Sequence, residues 1–225
     1  MFLHTLQVCN ARTNGYNLAM VLGAEEPGLR ERKRARTRRA IARAALELFD
    51  RQGFHETTLA EIARAADVSP RTVSGYFPHK EELAFPDGDE AYASLERRLR
   101  ERPPGESATD ALRSWIETMV DERAGRDEEL QMRRRIVARE EALRTYEHRF
   151  LARVQDALAE AFARDLGVAP TEIEPRMAAA ATLTVFTLLG EQIKPADREA
   201  LARVDRALLF IGAGIRALRH HDPVR

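Results

Sequence analysis

The sequence is poor in the residues that form covalent or metal cross-links. Cys9 is the only cysteine among 225 residues, which excludes an intramolecular disulfide and a cysteine-based metal cluster. The six histidines are scattered, and none has a carboxylate at metal-ligand spacing on a predicted helix. We therefore expect neither a metal nor a cofactor, and the lone cysteine agrees with a reducing cytoplasm.

Long apolar segments are absent as well. No apolar run approaches the roughly 18–20 residues that a membrane span needs. The first 19 residues lack the basic start and apolar core of a signal peptide. Residues 1–27 are expected to be a disordered extension, within which Met20 is an alternative start. The predicted location is cytoplasmic, with no membrane partner.

The chain has no net charge, but its charges are unevenly distributed. Basic and acidic residues number 36 each. Residues 28–85 carry twelve basic and eight acidic side chains, whereas residues 86–225 carry 23 and 26. Much of the basic excess lies in one run, which comprises Arg30, Arg32, Lys33, Arg34, Arg36, Arg38 and Arg39. Such a run is either a solvated helix start or an arm that attracts nucleic-acid phosphates, and the motif that follows favours the arm.

Helical periodicity begins at this basic run. Ile41, Ala45, Leu48 and Phe49 fall at i, i+4, i+7 and i+8, which predicts one apolar face on a first helix. Gly53 follows at the position where glycine commonly ends a helix.

Two short helices are predicted next. Thr58 and Glu61 have the spacing of a capping box, and Ser69 followed by Pro70 is typical of the start of a further helix. The tight turn between them is Asp67–Val68. A buried face on the earlier helix comprises Leu59, Ile62, Ala63 and Ala66. Two short helices joined by a tight turn describe a helix-turn-helix.

The second of these helices has the composition of a DNA-recognition helix. Val73 and Phe77 are predicted to face inward, whereas Arg71, Thr72 and Ser74 face outward toward bases and phosphates. Arg71 is the one long donor, and a guanidinium can pair bidentately with guanine O6 and N7. The alternative is that Arg71 is an ordinary surface arginine.

Several motifs in this region resemble the TetR family of bacterial repressors. They are Phe54–Ala63 (FHETTLAEIA), Ala66–Ser69 (ADVS), Thr72 and Tyr76–Leu83 (YFPHKEEL), in the right order and at the right spacing. The resemblance implies an all-α homodimer, with an N-terminal DNA-binding headpiece and a C-terminal helical domain for dimerisation and ligand binding. It also implies that a bound small molecule releases the protein from DNA.

The resemblance further implies roles for single residues. The predicted DNA contacts are Arg36, Arg38, Thr57, Thr58, Arg71, Thr72, Ser74, Tyr76 and Lys80. Two departures stand out. Val73 and Ser74 replace the leucine and tyrosine of many members, and Gly75 follows in a helix that glycine disfavours. Proline and glycine in Phe85–Asp89 should break a fourth helix that runs on in many relatives, with a restart at residue 89 or 90 and an end at residue 100.

The rest of the chain is predicted to be long amphipathic helices, with Ser107 as one helix cap. We expect a headpiece at residues 28–85, a helical domain at 89–219 and a tail at 220–225. The last two helices are the candidate dimer interface, the alternative being that they pack only within the monomer. Interface candidates are Leu183, Leu201, Leu208, Ile211, Gly212 and Ile215.

A small-molecule effector needs a cavity between these helices. The candidate lining residues are Trp115, Met119, Met132, Tyr146, Phe150, Thr182 and Phe186, although any of them could be ordinary core. A mostly apolar lining would favour a hydrophobic or acyl-type effector.

Two other classes of protein are alternatives to a repressor. An enzyme needs a nucleophile, base or metal set in one cavity, and no such set or phosphate-binding glycine loop is visible. An architectural DNA-binding protein, or an activator without a ligand, would not need the helical chain of residues 86–225. The sequence therefore predicts a dimeric regulator that binds a pseudo-palindromic operator and responds to a small molecule.

Overall fold

The computed structural model describes residues 28–122, 125–192 and 198–220, and in these ranges the fold is all-α, as predicted. The expectations for residues 1–27 and for the tail beyond residue 220 lie outside the described residues. Within the described ranges there are nine α-helices, no strand and one 3₁₀ helix, Lys80–Ala84. The α-helices are α1 Leu29–Gln52, α2 Leu59–Ala65, α3 Pro70–Tyr76, α4 Gly88–Arg100, α5 Ala108–Glu122, α6 Asp127–Arg139, α7 Glu141–Leu166, α8 Ile173–Gln192 and α9 Arg198–His220.

The chain divides into two units, residues 1–37 and residues 38–225. Of the first unit the structure describes residues 28–37, a helical and mostly exposed segment that contains the basic run up to Arg36. The second unit contains the helix-turn-helix and the whole helical domain. None of the described helices has the length and apolarity that a bilayer crossing requires.

The predicted apolar face of α1 is buried. Ile41 and Ala45 are fully buried, Leu48 and Phe49 nearly so, and the helix ends at Gln52. Gly53 adopts a φ of +92°, a left-handed conformation that glycine adopts without strain. This face packs into a first core together with Ile62, Val73, Phe77 and Leu83 of the headpiece, and with Ile136, Val137 and Leu143 of α6 and α7.

The break after the helix-turn-helix is present, with one difference in its position. The chain forms the short 3₁₀ helix, turns through Phe85–Asp87, and restarts as α4 at Gly88, one residue earlier than the sequence predicted. A Cβ at Gly88 would be in ordinary contact with its neighbours, 3.6 Å from Phe85 Cβ and 3.7 Å from Phe150 Cε2, so packing does not require a glycine there. α4 ends at Arg100, as expected.

A second core fills the helical domain. Leu95 and Leu99 of α4, Leu112 of α5 and Phe162 of α7 are almost completely buried in it. α5 begins after Ser107, whose hydroxyl accepts the backbone N–H of Asp110, and α7 ends at Gly167 with φ +74°. α8 and α9 pack on α7, and α9 also packs on α5. Helix α7 is therefore central to the domain, in contact with α4, α5, α6, α8 and α9.

Candidate DNA-binding surface and effector cavity

The recognition helix α3 is held by its caps and by its inner face. Ser69 Oγ accepts the backbone N–H of Thr72 at 3.0 Å, and Pro70 occupies the first turn. Val73 is fully buried in the headpiece core, so one side of the helix is fixed. A two-turn helix is unstable alone in water, and this packing gives α3 the rigidity that groove recognition needs.

The outer side of α3 carries the predicted base-reading residues. Arg71 and Ser74 are exposed, and Thr72 is half-buried, with its hydroxyl 2.7 Å from Ser69 Oγ. The Ser74 hydroxyl donates to the Pro70 carbonyl, which leaves Arg71 as the long side chain on this face. Gly75 is exposed with nothing close to its Cα, so no packing requirement explains the glycine.

Thr57 and Thr58, both predicted phosphate contacts, have different environments. Thr58 is exposed and caps α2 in the predicted capping box, in which its hydroxyl accepts the Glu61 N–H while the Glu61 carboxylate accepts the Thr58 N–H at 2.8 Å. This hydrogen bond lowers the pKa of Glu61. Thr57 is 1% exposed, and its hydroxyl donates to the Gly53 carbonyl at 2.7 Å. The Thr57 side chain is therefore not available to a phosphate in this structure.

Arg38 is a structural clamp more than a free cation. Its Nη1 donates to the carbonyl of Tyr76 at 2.6 Å, and its Nε donates to the carbonyl of Pro86 at 2.8 Å. The guanidinium lies 4.3 Å from the centre of the Phe77 ring. One side chain of α1 thus fixes both the end of the recognition helix and the break before α4. Arg36 is exposed.

Lys80 is also drawn into the headpiece. Its ammonium group donates to the carbonyl of Phe54 and lies 4.5 Å from the centre of the Phe54 ring. Burial lowers the pKa of Lys80. Sequence reasoning assigned Lys80 to the DNA backbone, whereas the structure shows it joining the 3₁₀ helix to the loop before α2. Tyr76 is half-buried, and its carbonyl is the one that Arg38 holds.

A cavity of about 340 Å³ lies inside the helical domain. The predicted residues Trp115, Met119, Phe150 and Phe186 all line it. Leucine and valine side chains from α4, α5, α7, α8 and α9 complete a mainly apolar wall. The remaining predicted residues are not part of the lining. Thr182 is 1% exposed and its hydroxyl donates to the Ala178 carbonyl, so the helix itself satisfies it.

Tyr146 is not part of the cavity lining. Its ring stacks on Phe85 with centroids 5.4 Å apart, and burial raises the pKa of its hydroxyl. Phe85 packs against the headpiece core, as does Met132, the other predicted lining residue that the cavity does not include. The guanidinium of Arg133 lies 6.0 Å from the centre of the Phe85 ring, and Arg133 also lines the cavity.

Helix α6 therefore contributes both to the headpiece core and to the lining of the cavity. Ile136 and Val137 are buried in the headpiece core, while Leu130, Arg133 and Arg134 line the cavity. The sequence predicted Met132 of this helix as a lining residue and did not predict Leu130, Arg133 or Arg134, because the apolar pattern of α6 is weak and about half of its residues are charged. The sequence feature that indicates this wall is the presence of Arg133 and Arg134 beside a short apolar face of the helix.

The predicted interface residues of α8 and α9 lie mostly inside their own chain. Leu208, Ile211 and Ile215 are 5–6% exposed within the second core, and Gly212 packs against Thr109 of α5. Leu183 lines the cavity, and the side chain of Leu201 lies outside those that the structure describes. Among the side chains of α8 and α9 that the structure describes, the large apolar ones that are exposed are Ile173, Met177, Leu209, Phe210 and Leu218.

Comparison with known proteins agrees with this architecture. Residues 41–85 match the family of bacterial regulatory proteins, tetR family, and residues 103–216 match the MftR C-terminal domain, which is about half of the chain. The chain is 45% identical to the transcriptional regulator TcmR of Streptomyces glaucescens over 89 residues, but that match spans only 38% of each protein. It is 27% identical to the transcriptional regulator MftR of Mycobacterium tuberculosis, over 71% of this chain and 77% of that one.

A solved structure shares the fold. The complex of SmeT with triclosan superposes with a TM-score of 0.57 at 22% identity, covering 79% of this chain and 90% of that one. These relatives are transcriptional regulators and not enzymes. With one family model on the helix-turn-helix and another on the helical domain, the chain belongs to the TetR family of DNA-binding transcriptional regulators.

Proposed function

We propose that this regulator is a cytoplasmic, homodimeric repressor that leaves a pseudo-palindromic operator when a small molecule enters the cavity. The observation that carries the proposal is the double membership of α6. Any ligand that displaces Arg133 or Leu130 moves the same short helix whose Ile136 and Val137 are packed in the headpiece core. Packed cores change arrangement in discrete steps, so a small movement at the cavity is transmitted to the recognition helix.

The expected effector is an amphiphile with an apolar body and an anionic end. Aromatic and aliphatic side chains form most of the wall, and a volume of about 340 Å³ is at the small end of ligand cavities. Arg133 and Arg134 bring the positive charge to one side of this apolar space. An apolar chain with a carboxylate or sulfonate group would satisfy both features.

The dimer is proposed to form through the outer faces of α8 and α9. Leu209 and Phe210 are 65% and 76% exposed, and Ile173 and Met177 are each 62% exposed. Exposed apolar groups of this size on neighbouring helices mark an interaction surface. A two-fold axis through these helices would present two recognition helices to two half-sites.

The test uses an amphiphilic probe of this chemistry, 1-anilinonaphthalene-8-sulfonate. It should bind the wild-type chain with enhanced fluorescence and weaken binding to a DNA fragment from upstream of the protein's gene. Val154→Phe, which adds a ring to the cavity wall, should bind DNA normally but lose at least tenfold in probe affinity. Val168→Phe, at an exposed residue beyond the end of α7 and outside the cavity, is the matched control and should keep the wild-type affinities for the probe and for DNA.

Two results would contradict the proposal. Probe affinity that Val154→Phe leaves unchanged would place the probe elsewhere. Probe binding in the cavity without any change in DNA affinity would favour a DNA-binding regulator that has no effector.

A further inference from the structure

A second cleft, of about 550 Å³, lies at the far end of the helical domain from the apolar cavity. It is formed where α4 and α7 end, where α5 begins and along the last turns of α9. The apolar cavity uses earlier turns of α4, α7 and α9 and later turns of α5. Leu99, Phe162, Leu208 and Ile211 of the second core occupy the intermediate turns, so the two spaces are separate.

Arginine dominates the lining of this cleft. Five arginines line it, Arg100, Arg102, Arg164, Arg216 and Arg219, and the guanidinium of Arg100 is paired with Glu96 outside the cleft. The carboxylates in the lining are Glu106, Asp110 and Asp165, which leaves a net charge of +2. The chain has 33 arginines and three lysines, so a single exposed arginine does not indicate a binding site. Five arginines around one concave space do indicate a site for an anion.

The carboxylates in the lining are already engaged. Glu106 is paired with Arg98, which lies outside the cleft, and Asp165 is paired with Arg102 at 2.7 Å. Asp110 accepts a hydrogen bond from the Ser107 hydroxyl. Among the residues that the structure describes, no carboxylate is within ion-pair distance of Arg164, Arg216 or Arg219.

The floor of the cleft is rigid. Arg102 and Asp165 are only 8% and 12% exposed, and the second oxygen of Asp165 accepts the backbone N–H of Ala108 at 2.7 Å. Arg164 donates to the carbonyls of Leu99 and Arg100. Burial, and next the positive charge of Arg102, lower the pKa of Arg164, while the carboxylates of Asp165 and Glu160 act in the opposite direction.

The wall formed by α9 places one guanidinium close to the floor. A Cβ at Gly212 would come within 3.3 Å of Arg216 Nη1 and 3.2 Å of Thr109 Oγ1. The glycine therefore lets the Arg216 side chain lie along its own helix toward α5. Arg219 follows three residues later, on the same side of a helix.

We propose that this cleft binds a phosphorylated anion of nucleotide size, as a second ligand site of the chain. Guanidinium groups pair bidentately with phosphate oxygens. Arg164 donates to backbone carbonyls, whereas Arg216 and Arg219 have no ion-pair or hydrogen-bond partner among the described residues, so this part of the cleft favours a ligand with several negative charges. The volume falls within the range of small-molecule sites. Pro103 and Pro104 supply a flat apolar rim on which the uncharged part of the ligand can rest.

Isothermal titration of the full chain with ATP and with inorganic pyrophosphate tests the proposal. One saturable site per chain is expected for at least one of them. The double variant Arg216→Gln, Arg219→Gln should weaken that binding at least tenfold, with an unchanged melting temperature. The control Arg97→Gln removes an exposed arginine of α4 outside the cleft and should bind as the wild type does. Equal affinities for ATP and pyrophosphate would identify the phosphates as the recognised group. Tighter binding of ATP would show that the nucleoside also contributes.

Binding to the basic run near the N-terminus would give a different pattern. In that case Arg34→Gln with Arg36→Gln would abolish the titration, and the variant of Arg216 and Arg219 would leave it intact. That pattern, or the absence of saturable binding of both probes, would overturn the proposal.

Discussion

The Nη1 atom of Arg38 donates to the carbonyl oxygen of Tyr76 at 2.6 Å, so a side chain of α1 holds the last residue of the recognition helix. Carbonyls at a helix end have no partner within their own helix. The clamp therefore satisfies a partly buried carbonyl that the helix itself leaves unpaired, and it fixes the angle at which α3 leaves the headpiece.

Removing this clamp should weaken the whole headpiece. Arg38→Met leaves two carbonyls without their donor, which costs about 1–3 kcal/mol of unfolding free energy by the usual value for an unsatisfied buried group. Affinity for specific and random DNA should fall together, because α3 loses its fixed angle. Denaturant unfolding measures the first effect and fluorescence anisotropy the second. Arg39→Met, an exposed neighbour, is the control, and equal stability of the two variants would refute the clamp.

Arg71 should determine specificity. Because it is the long donor on the outer face of α3, Arg71→Ala is expected to cost about 1–3 kcal/mol on the operator and to relax preference at one base position. Affinity for random DNA should change much less. Competition binding against single-base operator variants measures both quantities. A loss of the same size on operator and on random DNA would assign Arg71 to the phosphates.

Lys80, in contrast to Arg71, is expected to affect stability and not the contact with DNA. Its ammonium group already donates to the Phe54 carbonyl, so Lys80→Met should lower the melting temperature. The salt dependence of DNA binding should keep its slope. A direct phosphate contact would instead reduce the slope of log K against log salt by about 0.9. Measuring affinity between 50 and 200 mM salt, roughly the range over which such slopes are resolved, separates the two roles.

The capping box should make α2 sensitive to acid. The Thr58 N–H lowers the pKa of Glu61 below the ordinary 4.5, so the carboxylate stabilises the fold above that pH. This stabilisation is lost as the pH falls through the lower pKa of the folded state. The melting temperature of Glu61→Gln should therefore lie below that of the wild type at pH 7, and the gap should close in acid. A gap independent of pH would show that the charge of Glu61 contributes nothing.

The exposed apolar face of α9 should carry the dimer. Phe210→Asp puts a charge on a side chain that is 76% exposed in the isolated chain, so the monomer should fold while the dimer dissociates. Light scattering after size-exclusion chromatography measures the mass directly. Val168→Asp, at an exposed apolar residue beyond the end of α7, should leave the mass unchanged. A dimeric Phe210→Asp protein would move the interface elsewhere.

Much of the headpiece could be predicted from local rules. The apolar spacing of Ile41 to Phe49, the Thr58 box and the Ser69–Pro70 start are each set by neighbours in sequence, and each is present. Capping and periodicity depend on contacts within one or two turns. Four of the cavity residues could be found for the same reason, since their helices have clear apolar faces.

Side-chain direction could not be read in the same way. Arg38 and Lys80 look like free cations in the sequence, but carbonyls distant in the chain hold both of them. Leu208 and Ile215 lie on the side of α9 that packs on its own domain, whereas Phe210, two residues from Leu208, is exposed. The sequence of a helix with two apolar sides does not show which side packs within the domain and which side faces another subunit, because that depends on the tertiary packing.

The most direct test of the account is binding of the purified protein to DNA from upstream of its own gene, in the presence of random competitor and increasing salt. Tight binding that resists the competitor and saturates at two subunits per half-site pair is the predicted result. Binding that random DNA abolishes, at every upstream fragment tried and in a genome-wide selection of bound fragments, would contradict operator recognition by this headpiece.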